Sequence, residues 1–308
     1  MQNFFLEYRR FFERLQCLSF FGYNPITRSI AGNLAFLFHS RKASTPIVEN
    51  NLQTYLGIED IKAKTLARQW LRLLGVSALN IFFYRHMNRS WVEKHVEVSD
   101  PDLLTEMVNS GGLLLTYHSH HHHNTVGCIT GLLGAQILGL SAAKNPEHDH
   151  PEIRKFHIEI MHDESEKNFG GGRYLYLKEP IKALRDARQG MDQGCLVVGL
   201  ADFPSPLQKN LLVDFLEHQL SVQPWLFDMA IKKRAPVYFC LLESSNTKKG
   251  KPLYLSLGRS HETNSADLAQ SYFNFLAYRI HNNSSVWQGW EWLHMMAPII
   301  TSHEPASR

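Results

Sequence analysis

Three short apolar runs do most to constrain the fold of this chain. They cover residues 113–117, 195–200 and 236–242, and none of them contains a charged residue. A continuous apolar run of this length is typical of a β-strand that is buried on both faces. Helical patterns separate or follow the runs, at about residues 181–191, 222–233 and 266–280. Buried strands that alternate with helices predict an α/β fold with a mainly parallel central sheet flanked by helices.

The residues before the first run predict helices. Residues 65–83 repeat apolar side chains at spacings of three and four, which indicates a helix with one buried face. Asp100-Pro101 predicts an N-cap followed by proline at the first helical position, and that helix is expected to end near Gly111-Gly112. We find no internal repeat or low-complexity linker. We therefore expect one α/β domain over residues 1–308, with a helical N-terminal portion at 1–110 and a core at 111–300.

Composition and charge exclude several classes of protein. The formal net charge of +3 is too small to indicate a nucleic-acid partner. Residues 113–143 contain no Lys, Arg, Asp or Glu, but histidines and glycines interrupt this stretch, so no transmembrane helix is expected. No secretory signal is evident. The four cysteines are far apart and form no CxxC pair, which favours reduced thiols in the cytoplasm: Cys17, Cys128, Cys195 and Cys240.

The N-terminal segment, residues 4–21, combines basic and aromatic side chains. Arg9, Arg10 and Arg14 alternate with phenylalanine and leucine, as in helices that lie in a membrane interface. A helix packed on the core explains the same pattern. The interfacial interpretation predicts a cytoplasmic protein that is peripheral on the inner face of the plasma membrane.

A histidine cluster, residues 118–123, directly follows the first apolar run. In an α/β sheet, the carboxyl ends of the strands face the ligand crevice. One histidine there can act as a general base, while a second group fixes its tautomer. Alternatively, His118, His120, His122 and His123 hold a metal, since their spacing resembles the HxHxDH zinc motif of metallo-β-lactamase-type hydrolases. A polar loop whose histidines only hydrogen-bond the backbone is the third interpretation.

Several segments in order resemble the lipid A biosynthesis acyltransferases, the lauroyl/myristoyl transferase branch of the lysophospholipid acyltransferase superfamily. The similarity extends from about Val48 to His294. Residues 112–118 are similar to the strand that leads into the family's HxxxxD/E motif, and residues 190–202 to its glycine, apolar strand and aspartate block. The other similar segments are Lys144-Asn145-Pro146 with Arg154 downstream, residues 213–216, residues 230–237, and the tryptophan-rich residues 287–294.

The resemblance implies transfer of a fatty acyl group from an acyl-carrier-protein or coenzyme A thioester to a hydroxyl or amine, with no cofactor and no covalent enzyme intermediate. His118 would be the general base. The acceptor would be a lipid or a natural-product intermediate. Asn145, Arg154 and Arg173 are candidate substrate-binding residues, and Gly170-Gly171-Gly172 is interpreted as a loop over the site. The tryptophans Trp287, Trp290 and Trp292 are expected to be packing residues.

The chain departs from the family pattern in three places. The family's acid, five residues after its histidine, is replaced by His123, so either His123 or Asp202 is expected to orient His118. Glu217 replaces a glycine, and the N-terminal membrane span usual in that branch is missing. Because the motif carboxylate is absent, an interaction protein with an inactive site is a further alternative, beside the zinc-dependent hydrolase.

Overall fold

A computed structural model describes residues 2–39, 44–119, 123–141, 160–203, 210–244 and 250–296. The helices before the first central strand are α1 (Gln2–Ser19), α2 (Pro25–His39), α3 (Ser44–Leu56), α4 (Asp60–Asn80), α5 (Arg89–His95) and α6 (Pro101–Ser110). The later helices are α7 (His123–Leu132), α8 (Glu164–Glu166), α9 (Pro180–Asp192), α10 (Trp225–Lys233) and α11 (Ser265–Asn282). Short 3-10 helices follow α4 at Ile81–His86 and follow α11 at Ser284–Val286, Gln288–Glu291 and Leu293–Met296.

The strands form a seven-stranded sheet and a separate hairpin. The sheet contains β1 (Val96–Val98), β2 (Gly112–Thr116), β3 (Ile137–Ser141), β4 (Arg173–Tyr176), β5 (Leu196–Leu200), β8 (Val237–Ser244) and β9 (Leu253–Ser260). Its strand order is β1-β9-β8-β2-β5-β3-β4, and every neighbouring pair is parallel except β8 and β9. The hairpin joins β6 (Leu211–Phe215) to β7 (His218–Val222).

The predicted α/β fold with its mainly parallel sheet is confirmed. The three apolar runs become β2, β5 and β8, which lie side by side at the centre of the sheet with β2 in the middle. Both faces of β2 are buried: Leu113 and Leu115 belong to one apolar cluster, and Leu114 belongs to the other. The capping prediction for α6 is also confirmed, since Asp100 Oδ1 accepts a hydrogen bond from Leu103 N at 2.9 Å.

Helices cover the two faces of the sheet. The cluster that contains Leu113 also includes side chains of α3, α9, α10 and α11, whereas α1, α2, α6 and α7 contribute to the cluster that contains Leu114. The long helix α4 contributes to both, through Trp70 to the first and Leu79 to the second. Within the described residues, no helix combines the length and the apolarity that a bilayer span requires.

Two details of the sequence-based assignment are wrong. The helix expected over residues 222–233 begins only at Trp225, because residues 218–222 form the second strand of the hairpin. The glycine loop before β4 does not lie over the carboxyl end of the sheet. Gly172 N bonds to Phe169 O, and Phe169 O also accepts from Ile137 N at the start of β3, so the loop lies at the amino end.

Candidate functional site

The register of β2 and β5 brings a histidine and an aspartate together. The strands are parallel neighbours in which Thr116 pairs with Leu200, and both chains then leave the sheet at its carboxyl edge. His118 lies two residues beyond Thr116, and Asp202 lies two residues beyond Leu200. Residues at equivalent positions on adjacent parallel strands face the same crevice. His118 and Asp202 therefore meet although they are 84 positions apart in the chain.

Asp202 holds His118 by two hydrogen bonds. His118 Nδ1 lies 2.9 Å from Asp202 Oδ1, and the backbone N–H of His118 donates to Asp202 Oδ2, also at 2.9 Å. A carboxylate only accepts hydrogen bonds, so this contact places the proton on Nδ1 and leaves Nε2 as the basic nitrogen. The Asp202 side chain is fully buried, whereas 21% of the His118 side chain is exposed. We call this pair the dyad.

The chain that follows α11 completes the surroundings of the dyad. Trp287 Nε1 donates to Asp202 Oδ2 at 2.7 Å, and Trp292 Nε1 donates to the carbonyl oxygen of Asp202 at 2.9 Å. The Trp292 ring meets the His118 ring edge to face at 5.0 Å between centroids. Gln288 N also donates to His118 O at 2.7 Å. Trp287, which was expected only to pack, thus supplies a donor to the buried carboxylate, and Trp292 supplies one to the backbone carbonyl of the same residue.

Tyr272 of α11 forms hydrogen bonds with the chain at the carboxyl ends of both β2 and β5. Its hydroxyl donates to Thr116 O at 2.7 Å and accepts from Ala201 N at 3.4 Å, which ties together the residues that precede the dyad. Burial, followed by the negative charge of Asp202, holds the pKa of Tyr272 well above its usual range. The hydroxyl therefore stays protonated and remains a donor at physiological pH.

A mostly apolar cavity of about 520 Å³ opens beside His118. Its walls come from the carboxyl ends of β3 and β5, the start of α9 and the start of α10. Besides His118, the residues that line it are Leu140, Leu177, Pro180, Leu184, Leu200, Ala201, Phe203, Gln223, Trp225 and Leu226. The volume falls within the range of about 300–1,000 Å³ that is usual for small-molecule sites.

Gln223 is a polar exception in this lining. Trp225 Nε1 donates to Gln223 Oε1 at 2.7 Å. An indole N–H can only donate, so the bond fixes the orientation of the amide and leaves Gln223 Nε2 as a donor that does not face Trp225. Sequence reasoning did not identify Gln223, because a glutamine between a strand and a helix carries no distinctive pattern.

The structure brings only some of the expected site residues together. His118 and Asp202 are in contact, so the orienting group for which Asp202 and His123 were both candidates is Asp202 in this geometry. Arg173 lies at the first residue of β4, at the amino end of the sheet, where it pairs with Asp186 at 3.3 Å. It therefore does not reach the dyad, which lies at the opposite edge. Outside the described residues lie His120, His122, Asn145, Arg154 and the side chain of His123.

The described residues contain no group of three or more His, Cys, Asp or Glu side chains placed to hold a metal ion. Most of the proposed zinc ligands lie outside those residues, so the zinc alternative stays open. Comparison with known proteins finds no matching family model and no significantly similar curated protein. The acyltransferase resemblance thus rests on local sequence patterns.

Proposed function

We propose that this protein is an acyltransferase that moves a fatty acyl group from a thioester donor to a hydroxyl or amine acceptor. The observation that carries the proposal is that one histidine, His118, is paired with a buried carboxylate and also lines a large apolar cavity. The paired carboxylate orients His118 as a general base, and the apolar cavity can hold a fatty acyl chain. Burial of such a chain contributes about 0.8 kcal/mol per methylene.

The dyad supports a direct transfer. Nε2 of His118 takes the proton from the acceptor hydroxyl or amine as its oxygen or nitrogen attacks the thioester carbonyl carbon. The resulting oxyanion collapses, the carbon–sulfur bond breaks, and the departing thiolate takes the proton back from the imidazolium. Asp202 stabilises the imidazolium between these steps, as a carboxylate does when it accepts from Nδ1–H. Gln223 Nε2 is a candidate donor to the substrate carbonyl.

The site geometry also bears on the alternative of an interaction protein without activity. That alternative depended on the missing acid of the local motif. Asp202 supplies a carboxylate to His118 from the neighbouring strand, so the motif's acid is not required for an oriented base. An acyl carrier protein or acyl-coenzyme A remains the proposed donor, and a lipid or natural-product intermediate the proposed acceptor.

Intact-mass analysis of products tests the proposal. The purified protein is incubated with acyl-carrier-protein and acyl-coenzyme A donors and with lipid and small hydroxyl or amine acceptors. We expect an acylated acceptor with the wild type and with His261→Ala, which removes an exposed histidine outside the site. His118→Ala should form none. Equal turnover by His118→Ala and the wild type would refute the role of the dyad.

A chelator separates this proposal from the zinc-dependent hydrolase. We expect acyl transfer to be unchanged after dialysis against a chelator, and the purified protein to contain no stoichiometric zinc by elemental analysis. A tightly bound zinc that is lost together with activity would favour the hydrolase, since a catalytic zinc activates its own water.

A further inference from the structure

The helical hairpin formed by α1 and α2 carries a concentration of exposed apolar side chains. Phe20 and Phe21, in the turn between the helices, are exposed at 81% and 74%, and Ile26 and Leu37 of α2 at 71% and 68%. Ile30 lies between these two on the same face of α2 and is 42% exposed. We call these five residues the hairpin surface. Exposed apolar groups this close together in the chain mark an interaction site more often than scattered ones do.

The membrane-facing helix expected from the sequence is not the one that the structure exposes. The apolar face of α1, with Tyr8, Phe11, Phe12 and Leu15, is buried in the core. On α2, by contrast, Ile26, Ile30 and Leu37 recur at helical spacing on the exposed face, while Ala31 and Ala35 pack inward. The apolar exposure therefore belongs to α2 and the turn, and α1 contributes charged side chains beside it.

The charges beside the hairpin surface are mainly basic. Arg10 and Arg14 line the same groove as Phe21 and Ile30. Neither arginine forms an ion pair with another described residue, whereas Glu13 pairs with Arg9 at 2.7 Å. Residues 2–39 contain four arginines and two glutamates. Glu13 lines this groove as well, whereas Glu7 lines a neighbouring cavity together with Arg10 and Arg14. Apolar groups that protrude next to arginines complement a surface with apolar chains beneath anionic headgroups.

The hairpin contacts the carboxyl end of the sheet, which is also the end at which the dyad lies. Arg28 of α2 donates to Ser244 Oγ at 2.6 Å, and Ser244 is the last residue of β8, a parallel neighbour of β2. Helix α2 also packs closely on α4. The approach leaves no room for a side chain at Gly75, where a Cβ would lie only 2.2 Å from Ala31 O. Trp70 of α4 in turn donates to Trp287 O at 3.0 Å. The hairpin is thus connected through α4 to the segment that orients Asp202.

We propose that the hairpin surface docks this protein on an anionic lipid membrane, with Phe20, Phe21, Ile26, Ile30 and Leu37 inserted among the lipids and Arg10 and Arg14 at the headgroups. The proposal does not depend on acyl transfer, because binding is measured without substrate.

Vesicle flotation at low salt tests the docking surface. We expect the full chain to float with vesicles of phosphatidylcholine and phosphatidylglycerol, and less with phosphatidylcholine alone. Phe20→Ser with Phe21→Ser, and Ile26→Ser with Leu37→Ser, should each weaken binding about tenfold or more. Arg10→Gln and Arg14→Gln should each weaken it about fivefold, only on anionic vesicles, and less at high salt.

The matched control removes exposed apolar side chains elsewhere. Leu212 and Tyr278 are 58% and 64% exposed and lie outside the hairpin, so Leu212→Ser with Tyr278→Ser should leave flotation unchanged. Absence of flotation by the wild type would overturn the proposal, as would an equal loss in the control. A wild-type dimer in sedimentation that Phe20→Ser with Phe21→Ser converts to monomers would assign the surface to a second copy instead.

Cys17 provides a second measurement that does not depend on substitutions. It is exposed and lines the groove beside Arg14 and Phe21, whereas the other three cysteines are buried. A polarity-sensitive fluorophore attached to Cys17 should shift to shorter wavelength when anionic vesicles are added. Binding without any shift would place the contact elsewhere on the protein and contradict the proposal.

Discussion

Asp202 is the residue on which the proposed chemistry depends most closely. Its carboxylate accepts from His118 N, His118 Nδ1 and Trp287 Nε1, so all three donors lose part of their partner when an amide replaces it. We expect Asp202→Asn to lower kcat by about 10⁴-fold, as the corresponding change does in serine proteases, because the His118 tautomer is no longer fixed. The rate of acyl transfer, measured beside thermal unfolding, tests this.

His123→Ala is the informative companion variant. The local motif has His123 at the position of the family's acid, but Nδ1 of His118 is already engaged by Asp202. We therefore expect His123→Ala to retain most of the rate. A loss as large as that of Asp202→Asn would contradict the assignment of the orienting role to Asp202.

Trp287 should act through Asp202 and not only through packing. Trp287→Phe keeps a buried aromatic ring but removes the Nε1 donor at 2.7 Å from the carboxylate. We expect kcat to fall about ten- to a hundredfold, since a hydrogen bond to a charged group contributes about 1.5–3 kcal/mol. Trp290→Phe is the matched control. Trp290 is equally buried, but its Nε1 donates to Ser284 O, so this variant should lose stability while kcat changes little.

At the scale of elements, the contact between β5 and α10 sets the width of the cavity. A methyl group at Gly199 would lie 3.1 Å from both Leu226 δ-carbons and 3.4 Å from Leu140 Cδ1, and both leucines line the cavity. We expect Gly199→Ala to favour shorter acyl chains and Leu184→Ala to favour longer ones. The kcat/KM ratio between neighbouring chain lengths should change by about tenfold in each case. If both variants shifted the preferred acyl-chain length in the same direction, the size of this cavity would not determine the preference.

The turn between β6 and β7 explains why Glu217 is an unfavourable residue there. Leu216 and Glu217 form this two-residue turn with φ of +50° and +65°, the left-handed conformation that glycine adopts without steric cost. We expect Glu217→Gly to raise the free energy of unfolding by about 0.5–1 kcal/mol, measured by denaturant titration. Glu93→Gly, in the helix α5, should instead lower it by about 1 kcal/mol. A destabilised Glu217→Gly would exclude strain at this turn.

For the whole molecule, the sequence predicts the strands best where burial on both faces determines the residue pattern. The strands β2, β5 and β8 are buried on both faces and so appear as unbroken apolar runs. The hairpin strands β6 and β7 alternate buried and exposed residues and are joined by a turn without glycine, so no run or turn signal marks them. The strand β9 carries polar residues such as Arg259, and its antiparallel pairing cannot be inferred from composition.

The candidate site, too, could be predicted from the sequence only in part. His118 and Asp202 both follow apolar runs, which indicates that each lies at a strand end. Their contact, however, depends on β5 lying next to β2, and strand order is a property of the assembled sheet. The cavity has walls from α9 and α10 as well as from strands, so no segment alone indicates it. The role of the tryptophans as donors could have been expected in general terms, because a buried indole N–H usually finds a hydrogen-bond partner.

The central position of β2 has a consequence for how the protein is made. Its two partners, residues 196–200 of β5 and 237–240 of β8, both come much later in the chain. Ribosomes add about 5–20 residues per second, so the apolar segment 112–116 waits roughly ten seconds for its second partner. During that time it exposes two unpaired edges, which invites aggregation. We expect the nascent chain to depend on chaperones until residue 240 has left the ribosome, and stalled or truncated chains to be cleared by proteolysis.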